Sequence, residues 1–457
     1  MPVLWDHQQR MLDFSLSGSA EDFSLHYAEP STGKTLYGLE YLRGFDGLKL
    51  AICPASAMQV WNADYEGFYD NPNFELHVLD QGSSRDKYAT IKDLYRRRVD
   101  AVGVLSYETA ARIPLDEFNF SAVVTDEAHR LGQHNGAQSM KIATMLHGVQ
   151  FKVAMTGTPF HDGYEKLYGI TRYLNCRVMK SKSAHPQSRL FGHYNDFLNE
   201  YCKTFQKGYV PIIIGYKNVQ KLAEVIKPFT MITRTEEVHD LPEFTERIYK
   251  APLSSKVRKV YHDIEAEGAA EYEGKDILSP HVLTRTVRLQ QMASAGVLIG
   301  DDKSETYFDV TPRLNVLSNI VDDIGTEPVV IFTKYEREVA LVSERLKEMG
   351  IDFGILTGSQ NDYLTWRGGQ GRALIVNLKA GSESVRLERA AHSIFWAVGY
   401  SIKEFVQAKA RTRRVGQVKD FVHYHFIVTE DTIDETLYDV LHSKSLEVSE
   451  LDQYLRS

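Results

Sequence analysis

The segment AEPSTGKT, residues 28–35, has the composition of a loop that binds phosphate. Apolar residues alternate from 23 to 27 as in a strand, and leucines on a helical spacing follow the segment. In such a strand-to-helix turn, backbone N–H groups and the helix N-terminus point at phosphate oxygens. We expect the Lys34 ammonium to bridge the β- and γ-phosphates of a nucleotide, and the Thr35 hydroxyl to bind Mg²⁺. The same predicted nucleotide site includes Glu29, Pro30, Ser31, Thr32 and Gly33.

A pair of acids follows a second apolar run, in VVTDEAHR at residues 123–130. Ligands of parallel α/β sheets bind at the carboxyl ends of the strands, which is where Asp126 and Glu127 fall. We expect Asp126 to hold Mg²⁺, directly or through water, and Glu127 to polarise the attacking water. Phosphoryl transfer needs both of these functions.

Two further segments fit the same chemistry. AMTGTPF, residues 154–160, has Thr156 after another apolar run, and this hydroxyl could link the phosphate end of the site to the substrate side. QAKARTRRVGQ, residues 407–417, has Arg411 and Arg414 three positions apart, hence on one face if the segment is helical. Guanidinium groups supplied from a facing domain would stabilise the charge of a phosphoryl transition state.

Each segment also has a plainer interpretation. The strict phosphate-loop pattern has a glycine where this chain has Ala28, so 28–35 could be an ordinary turn with a capped helix. The acids could be solvated side chains at a helix start, where the helix dipole favours them. The arginines could form a solvated basic helix face. The order of the segments along one chain favours the nucleotide site.

Short apolar runs separated by helix-length segments must position these residues. Such alternation predicts parallel sheets with crossover helices, and two series of it predict two α/β lobes. The predicted strands of the first lobe are residues 23–27, 48–53, 101–105, 122–125 and 153–156. Those of the second are 329–332, 353–356, 373–376, 393–396 and 421–428. Residues 255–268 and 281–295 are predicted helices between the lobes.

Composition excludes several classes of protein. The 457 residues are 43% hydrophobic and 25% charged, which is typical of a soluble globular chain with two domains. The three cysteines form no C-x-x-C pair, so neither a zinc ribbon nor a disulfide framework is indicated. The net charge of −8 means that any polyanion must meet a locally basic surface. Without a signal sequence or a long apolar run, we expect a cytoplasmic protein.

The order of AEPSTGKT, TDEAH, TGTP and Q-x-x-x-R-x-x-R-x-G-Q resembles helicase superfamily two, and more narrowly the Swi/Snf group of duplex-DNA-translocating ATPases. LWDHQ, LSYET, RLQQMASAG and the segment from Ile232 to Tyr261 are similar to further segments of that group. The resemblance covers nearly the whole chain and is weakest from about 170 to 225. It implies two RecA-like parallel-sheet lobes, at residues 1–175 and 311–457. Helical inserts and a linker, at residues 176–310, would separate them in the sequence.

The resemblance also implies roles for single residues. Gln8 would read adenine, Lys34, Asp126 and Glu127 would be catalytic, and Arg411 and Arg414 would be arginine fingers. Gly381 and Gln407 would complete the nucleotide site, with ATP and Mg²⁺ as the cofactors. Contacts to nucleic acid are expected from Pro54, Ser106, Tyr107, Thr156, Thr333, Thr357, Lys379 and Arg386.

Two positions depart from the group's pattern. Ser31 stands where the group has a glycine, and NLKAGSESVRL at 377–387 keeps Gly381 but has Arg386 among residues that replace other glycines. We expect Arg386 to grip a DNA phosphate, with a solvated surface arginine as the alternative.

The expected activity is DNA-dependent ATP hydrolysis that drives translocation on duplex or branched DNA, in replication, recombination or repair. A strand-separating DNA or RNA helicase is the first alternative. A decayed motor that serves as a scaffold is the second, although Lys34, Glu127 and Arg414 are all present.

Overall fold

The computed structural model describes residues 2–18, 21–70, 72–157, 163–178, 186–207, 210–272, 275–278, 282–299, 305–378 and 385–456. The chain divides into two compact units. The first unit consists of residues 1–239 together with 446–457, and the second consists of residues 240–445.

A parallel sheet forms the centre of the first unit. Its strands are β1 Phe23–Ala28, β2 Leu48–Cys53, β3 Glu75–Val78, β4 Ala101–Ser106, β5 Ala122–Asp126, β6 Phe151–Thr156 and β7 Thr230–Thr233. They lie in the order β7-β1-β6-β5-β2-β4-β3, and each paired neighbour is parallel. β1, β2 and β4 are buried along their whole length, as expected for apolar runs covered on both faces. This order places the carboxyl ends of β1, β5 and β6 next to one another.

Helices cover the sheet of the first unit. They are Asp6–Asp13, Lys34–Arg43, Met58–Phe68, Ser84–Arg97, Tyr107–Ala110, Ala137–Met145, Lys166–Leu174, Tyr194–Tyr201, Val219–Ile226 and Thr235–Val238. In Val219–Ile226 the buried residues are 219, 222, 223 and 226, the spacing of one helix face. Short antiparallel pairs join Cys176–Arg177 to Gln187–Ser188 and Cys202–Lys207 to Val210–Tyr216.

A second parallel sheet forms the centre of the second unit. Its strands are β8 Glu243–Ala251, β9 Val329–Thr333, β10 Phe353–Leu356, β11 Ala373–Asn377, β12 His392–Phe395 and β13 Phe421–Thr429. Their order is β8-β13-β12-β9-β11-β10, with parallel neighbours throughout. The prediction of two parallel-sheet α/β lobes is confirmed.

The helices of the second unit include a long one at its end. They are Ser255–Glu267, Val282–Gln290, Thr311–Ile324, Glu336–Glu348, Tyr363–Arg367, Ile402–Thr412 and the first part of Ile433–Arg456. Antiparallel pairs join Ala269–Tyr272 to Lys275–Leu278 and Val297–Ile299 to Glu305–Tyr307. In the ranges that the structure describes, no helix is long and apolar enough to cross a membrane.

The structure differs from the predicted domain boundaries. Residues 176–310 were predicted as a helical insert and linker, but β7 and β8 from this range join the two main sheets. The units meet in sequence at His239 and Asp240, and the range also contains antiparallel strands. β8 is a largely exposed edge strand with several charged residues, so it lacks the apolar run by which most of the other strands were predicted.

Candidate nucleotide site

The predicted phosphate loop lies between β1 and the helix Lys34–Arg43. Gly33 caps that helix with φ +70°, and a Cβ atom there would lie 2.2 Å from Nε2 of Gln8. A glycine is therefore needed both for the backbone conformation and for the close approach of Gln8. Ser31 also has φ in the left-handed region, at +69°. The departure from glycine at this position thus leaves a side chain on strained backbone.

Lys34 is held at the base of the loop. Its ammonium donates hydrogen bonds to the carbonyl oxygens of Ala28 at 2.8 Å and Glu29 at 3.1 Å. Its positive charge also acts on Asp126 at the end of β5 and opposes the rise in the pKa of that carboxyl. The structure thus brings the lysine of the loop and the acid of a different strand to one edge of the sheet, as the sequence predicts.

Asp126 and Glu127 form the acidic end of the site. Asp126 is 7% exposed, and burial together with the Glu127 charge raises its pKa to about 6. The Glu127 backbone N–H donates to the Asp126 carboxylate at 2.9 Å. Glu127 has φ +53°, a conformation that costs a non-glycine residue of the order of 1–3 kcal/mol and clusters at functional sites.

His129 joins Glu127 to the third predicted segment. Its Nδ1 atom lies 3.1 Å from Oε2 of Glu127 and 3.1 Å from the hydroxyl of Thr156. The sequence predicted a linking role for Thr156 but assigned none to His129. The only signal was its place two residues after the predicted catalytic acid. The contact makes His129 a positioning residue for Glu127.

Side chains hold the carbonyl groups of the phosphate loop on its outer side. Gln8 donates to the carbonyl of Gly33 at 3.0 Å, His7 to that of Thr32 at 2.8 Å, and His239 to that of Ser31 at 3.2 Å. Sequence reasoning found Gln8 alone among these three. A contact between Gln8 and adenine stays a prediction, because here the side chain is bound to the loop and to the Trp5 backbone N–H.

The residues present fit a divalent cation bound together with phosphate. Mg²⁺ prefers oxygen ligands and takes one or two carboxylates along with phosphate oxygens and water. Burial and the neighbouring Glu127 charge raise the pKa of the Asp126 carboxyl, and a cation would favour its ionised form. Asp126 and Thr35 are the residues that would hold it.

The predicted residues of the second unit lie at the end of the helix Ile402–Thr412. Gln407 and Arg411 are 5% and 9% exposed, one turn apart on this helix. The helix ends at Thr412, so Arg414 lies beyond it and the prediction of one helical face for both arginines is wrong. The Nε atom of Arg414 is buried with no hydrogen-bond partner among the described residues. Burial and the nearby Arg386 charge lower the pKa of Arg414.

Several residues predicted to contact nucleic acid have buried side chains. The side chains of Tyr107, Thr156 and Thr333 are fully buried, and that of Ser106 is nearly so. Tyr107 instead donates to the Asp126 carbonyl at 2.8 Å, and Ser106 caps the helix that follows β4. Contacts from these four residues to nucleic acid stay predictions, and the Tyr107 hydroxyl is bound to the Asp126 backbone in this structure.

The remaining predicted contacts are placed as follows. Pro54 is also buried and precedes a short 3₁₀ turn at Ala55–Ala57. Arg386 is exposed, and Thr357 is partly exposed and accepts from the Gln360 backbone N–H at 3.1 Å. Lys379 and Gly381 lie outside the described residues. Arg386 and Thr357 stay predictions.

Comparison with known proteins matches the SNF2-related domain to residues 24–296 of this chain. The putative ATP-dependent helicase/translocase YwqA of Bacillus subtilis is 24% identical over 410 residues, which are 86% of this chain and 42% of that protein. Putative protein p41 of Acyrthosiphon pisum secondary endosymbiont phage 1 is 22% identical over 437 residues, 90% of each chain.

Among solved structures, the Sulfolobus solfataricus SWI2/SNF2 ATPase core in complex with dsDNA aligns with a TM-score of 0.44 and 17% identity, covering 97% of this chain and 92% of that one. The chain spans 40–45% of the length of the first three curated relatives that it matches.

Proposed function

This chain belongs to the SNF2-related domain family, and we propose that it hydrolyses ATP to translocate on double-stranded DNA. The observation that carries the proposal is the convergence of Lys34, Asp126 and Glu127 from separate segments at one edge of the first sheet. A scaffold that had lost its motor would have no need to keep this arrangement.

Each residue of the site has a role in this proposal. The loop N–H groups and Lys34 bind the phosphates. Thr35 and Asp126 would hold Mg²⁺, which would neutralise charge on the phosphates. Glu127, oriented by His129 at 3.1 Å, accepts a proton from the attacking water. Arg411 and Arg414 stabilise the charge that develops on the transferred phosphoryl group.

The charge distribution supports a nucleic-acid partner. The chain carries a net charge of −8, so it would repel DNA unless basic residues were grouped. In the second unit, burial and the charges of Arg386 and Arg367 lower the pKa of Arg414, whereas Glu388 and Tyr363 oppose the shift. A local cationic group of this kind suits phosphate oxygens. We therefore infer that Arg386 contacts the DNA backbone.

A strand-separating helicase is the second candidate. Strand separation needs a surface on which unstacked bases can rest. Tyr400 is 46% exposed, and the Lys334 ammonium lies 4.3 Å from its ring centroid, which makes a cationic aromatic surface at the end of β9. This surface could hold a base as well as a phosphate.

Triplex displacement compared with fork unwinding distinguishes the two candidates. Both substrates are incubated with the chain, Mg²⁺ and ATP at one salt concentration. We expect displacement of the third strand with little separation of the fork, because tracking needs only alternating grips on phosphates. Fast unwinding of the fork without triplex displacement would overturn the translocase and establish the helicase.

A genome-maintenance role fits this activity. The relative p41 is a phage protein of similar span. We propose that this chain acts in replication, recombination or repair in a bacterium or a phage-infected cell. Fork or junction remodelling is the most direct use of a duplex-tracking motor. Comparing ATP hydrolysis with single-stranded, duplex and branched DNA and with RNA identifies the preferred substrate.

A further inference from the structure

The segment Thr233–His239 is hydrogen-bonded to the phosphate loop. The Glu29 backbone N–H donates to the Thr233 carbonyl at 3.0 Å, and the Thr235 hydroxyl donates to the Pro30 carbonyl at 2.6 Å. The Glu29 carboxylate accepts from the Thr235 backbone N–H at 3.0 Å. The first residues of the loop therefore take their position from this segment as well as from β1.

Arg234, in the same segment, connects the loop to the C-terminal helix. One end of its guanidinium lies 3.4 Å from the Glu29 carboxylate, and the other is hydrogen-bonded to the Asp452 carboxylate. Burial opposes the charge of Arg234, but the bond to Asp452 and the charges of Tyr27, Asp452 and Glu29 together outweigh burial and raise the pKa of the guanidinium. The three charges form a chain from the phosphate loop to Asp452.

Asp452 is firmly fixed in the first unit. It is 4% exposed, and the neighbouring Leu451 and Leu455 are buried in the main apolar core of that unit. Arg456, one turn later, lies 3.2 Å from the Asp452 carboxylate and is also paired with Glu237. An acid held this rigidly, with its charge directed at Arg234, can fix the guanidinium in one place.

We propose that Asp452 is a positioning residue for the nucleotide site, acting through Arg234 and Glu29 to hold the phosphate loop in its binding conformation. Nucleotide affinity then depends on docking of the last turns of the C-terminal helix, residues 446–456. The inference rests on the proposed function, since it takes 29–35 as the phosphate loop. It assigns to these C-terminal residues a function that their sequence does not reveal.

The test is the binding of ADP and Mg²⁺ to the full chain by calorimetry. Asp452→Asn keeps the shape of the side chain and removes its charge. We expect ADP affinity to fall about tenfold, the loss that follows removal of one charge-assisted hydrogen bond. Glu450→Gln is the matched control, since this acid is exposed on the same helix, and it should leave ADP affinity unchanged.

A double-mutant cycle tests the path through Arg234. Glu29→Gln cuts the chain of contacts at its other end, so it should weaken ADP binding by a similar factor. The combined variant should bind little worse than either single variant, because coupled effects are not additive. Glu29→Gln alone decides the matter if Asp452→Asn does not fold.

The outcomes separate positioning from a purely structural role. A structural role would lower the melting temperature and leave ADP affinity, measured well below it, at the wild-type value. That result in both single variants would overturn the proposed positioning role only. A wild-type chain that binds no ADP would overturn the proposed function, and the positioning role with it.

Discussion

Two residues of the nucleotide site have a backbone conformation that side chains disfavour. Ser31 has φ +69° and Glu127 has φ +53°. Glu127 has a proposed catalytic role, and in this strained conformation its backbone N–H donates to the Asp126 carboxylate. At Ser31 the hydroxyl is buried and has no hydrogen-bond partner among the described residues, so nothing visible in this structure offsets the strain.

Replacement of Ser31 tests that strain. Ser31→Gly relieves a left-handed conformation that costs about 1–2 kcal/mol. Glycine also lowers the stability by about 0.4–1 kcal/mol, because it increases the conformational entropy of the unfolded chain. We expect Ser31→Gly to unfold with a free energy about 0.5–1 kcal/mol higher than Ser31→Ala, which lacks the hydroxyl but keeps the Cβ atom. Urea unfolding of the two variants measures the difference. An alanine variant as stable as the glycine variant would show that the loop is not strained.

Arg414 is the second residue whose environment suggests a use. Its buried Nε atom has no hydrogen-bond partner in the described part of the chain, and the nearby Arg386 disfavours its charge. An anion would correct both. We expect Arg414→Ala to bind ATP with near wild-type affinity and to lose hydrolysis by about 10³- to 10⁵-fold, because arginine fingers act on the transition state.

Arg413 provides the control for that experiment. Its guanidinium donates to the Pro242 carbonyl at 2.8 Å and lies 4.9 Å from the Phe244 ring centroid, so its contacts are within the second unit. Arg413→Ala should therefore change stability more than hydrolysis. Normal hydrolysis by Arg414→Ala would remove this residue from the proposed site.

The sequence identified residues of the site better than it identified their neighbours. Lys34, Asp126 and Glu127 follow from the order of short motifs, because each motif fixes both residue type and position on an element. His129, Tyr107 and Arg234 could not be found in this way. Tyr107 and Arg234 contact Asp126 and Asp452, which lie far along the chain, and local spacing is blind to such contacts. His129 lies only two residues from Glu127, but spacing alone does not show that its ring contacts that carboxylate.

At the scale of elements, apolar runs located most strands of the two sheets to within one or two residues. The prediction of 48–53 matches β2, and that of 353–356 matches β10. β3, β7 and β8 were missed, because membership of a sheet is decided by pairing partners and not by the strand's own pattern. Residues 446–457 were predicted in the second lobe but belong to the first unit. Their place, too, is decided by distant contacts and not by their own pattern.

β12 and β13 carry a cluster of histidines in the second unit. The His392 ring stacks on that of His423 with centroids 4.7 Å apart, and its Nδ1 atom lies 3.1 Å from Nε2 of His425. Burial and the His423 charge lower the pKa of His392 to about 4, and burial and the His392 charge lower that of His425 to about 3. Glu327 opposes these shifts at His392, whereas Lys419, Arg372 and Arg247 add to them.

These shifts predict a loss of stability in acid. The native histidines stay neutral below pH 6.5, where the unfolded chain takes up protons, so the free energy of unfolding falls from pH 6.5 toward about 4. Between pH 7.5 and pH 5, we expect the free energy of unfolding of His392→Gln to fall by about 1–2 kcal/mol less than that of the wild type. Urea unfolding at both values measures this. His147→Gln, at an exposed position, is the control, and equal losses in all three chains would contradict the assignment.

At the scale of the whole molecule, the two units carry different parts of the predicted chemistry. Lys34, Asp126 and Glu127 lie in the first unit, and Arg386, Arg411 and Arg414 in the second. The SNF2-related match begins in the first unit and ends at residue 296 of the second. A motor that depends on both units should lose hydrolysis when either set is altered.

Because the net charge is −8, binding to DNA must come from the grouped arginines, and we expect it to be sensitive to salt. Binding through a few grouped arginines releases counterions from the phosphates, so affinity should fall steeply as salt rises. Measurements of stimulation by DNA therefore belong at low and constant ionic strength.

The most direct test of the central claim is the rate of ATP hydrolysis with Mg²⁺, with and without duplex DNA, in the wild-type chain and in Glu127→Gln. We expect duplex DNA to stimulate hydrolysis by the wild-type chain. Glu127→Gln should still bind ATP, because the phosphate loop is unchanged, and should hydrolyse almost none. Hydrolysis at the wild-type rate by Glu127→Gln, or a wild-type rate that duplex DNA leaves unchanged, would contradict the account.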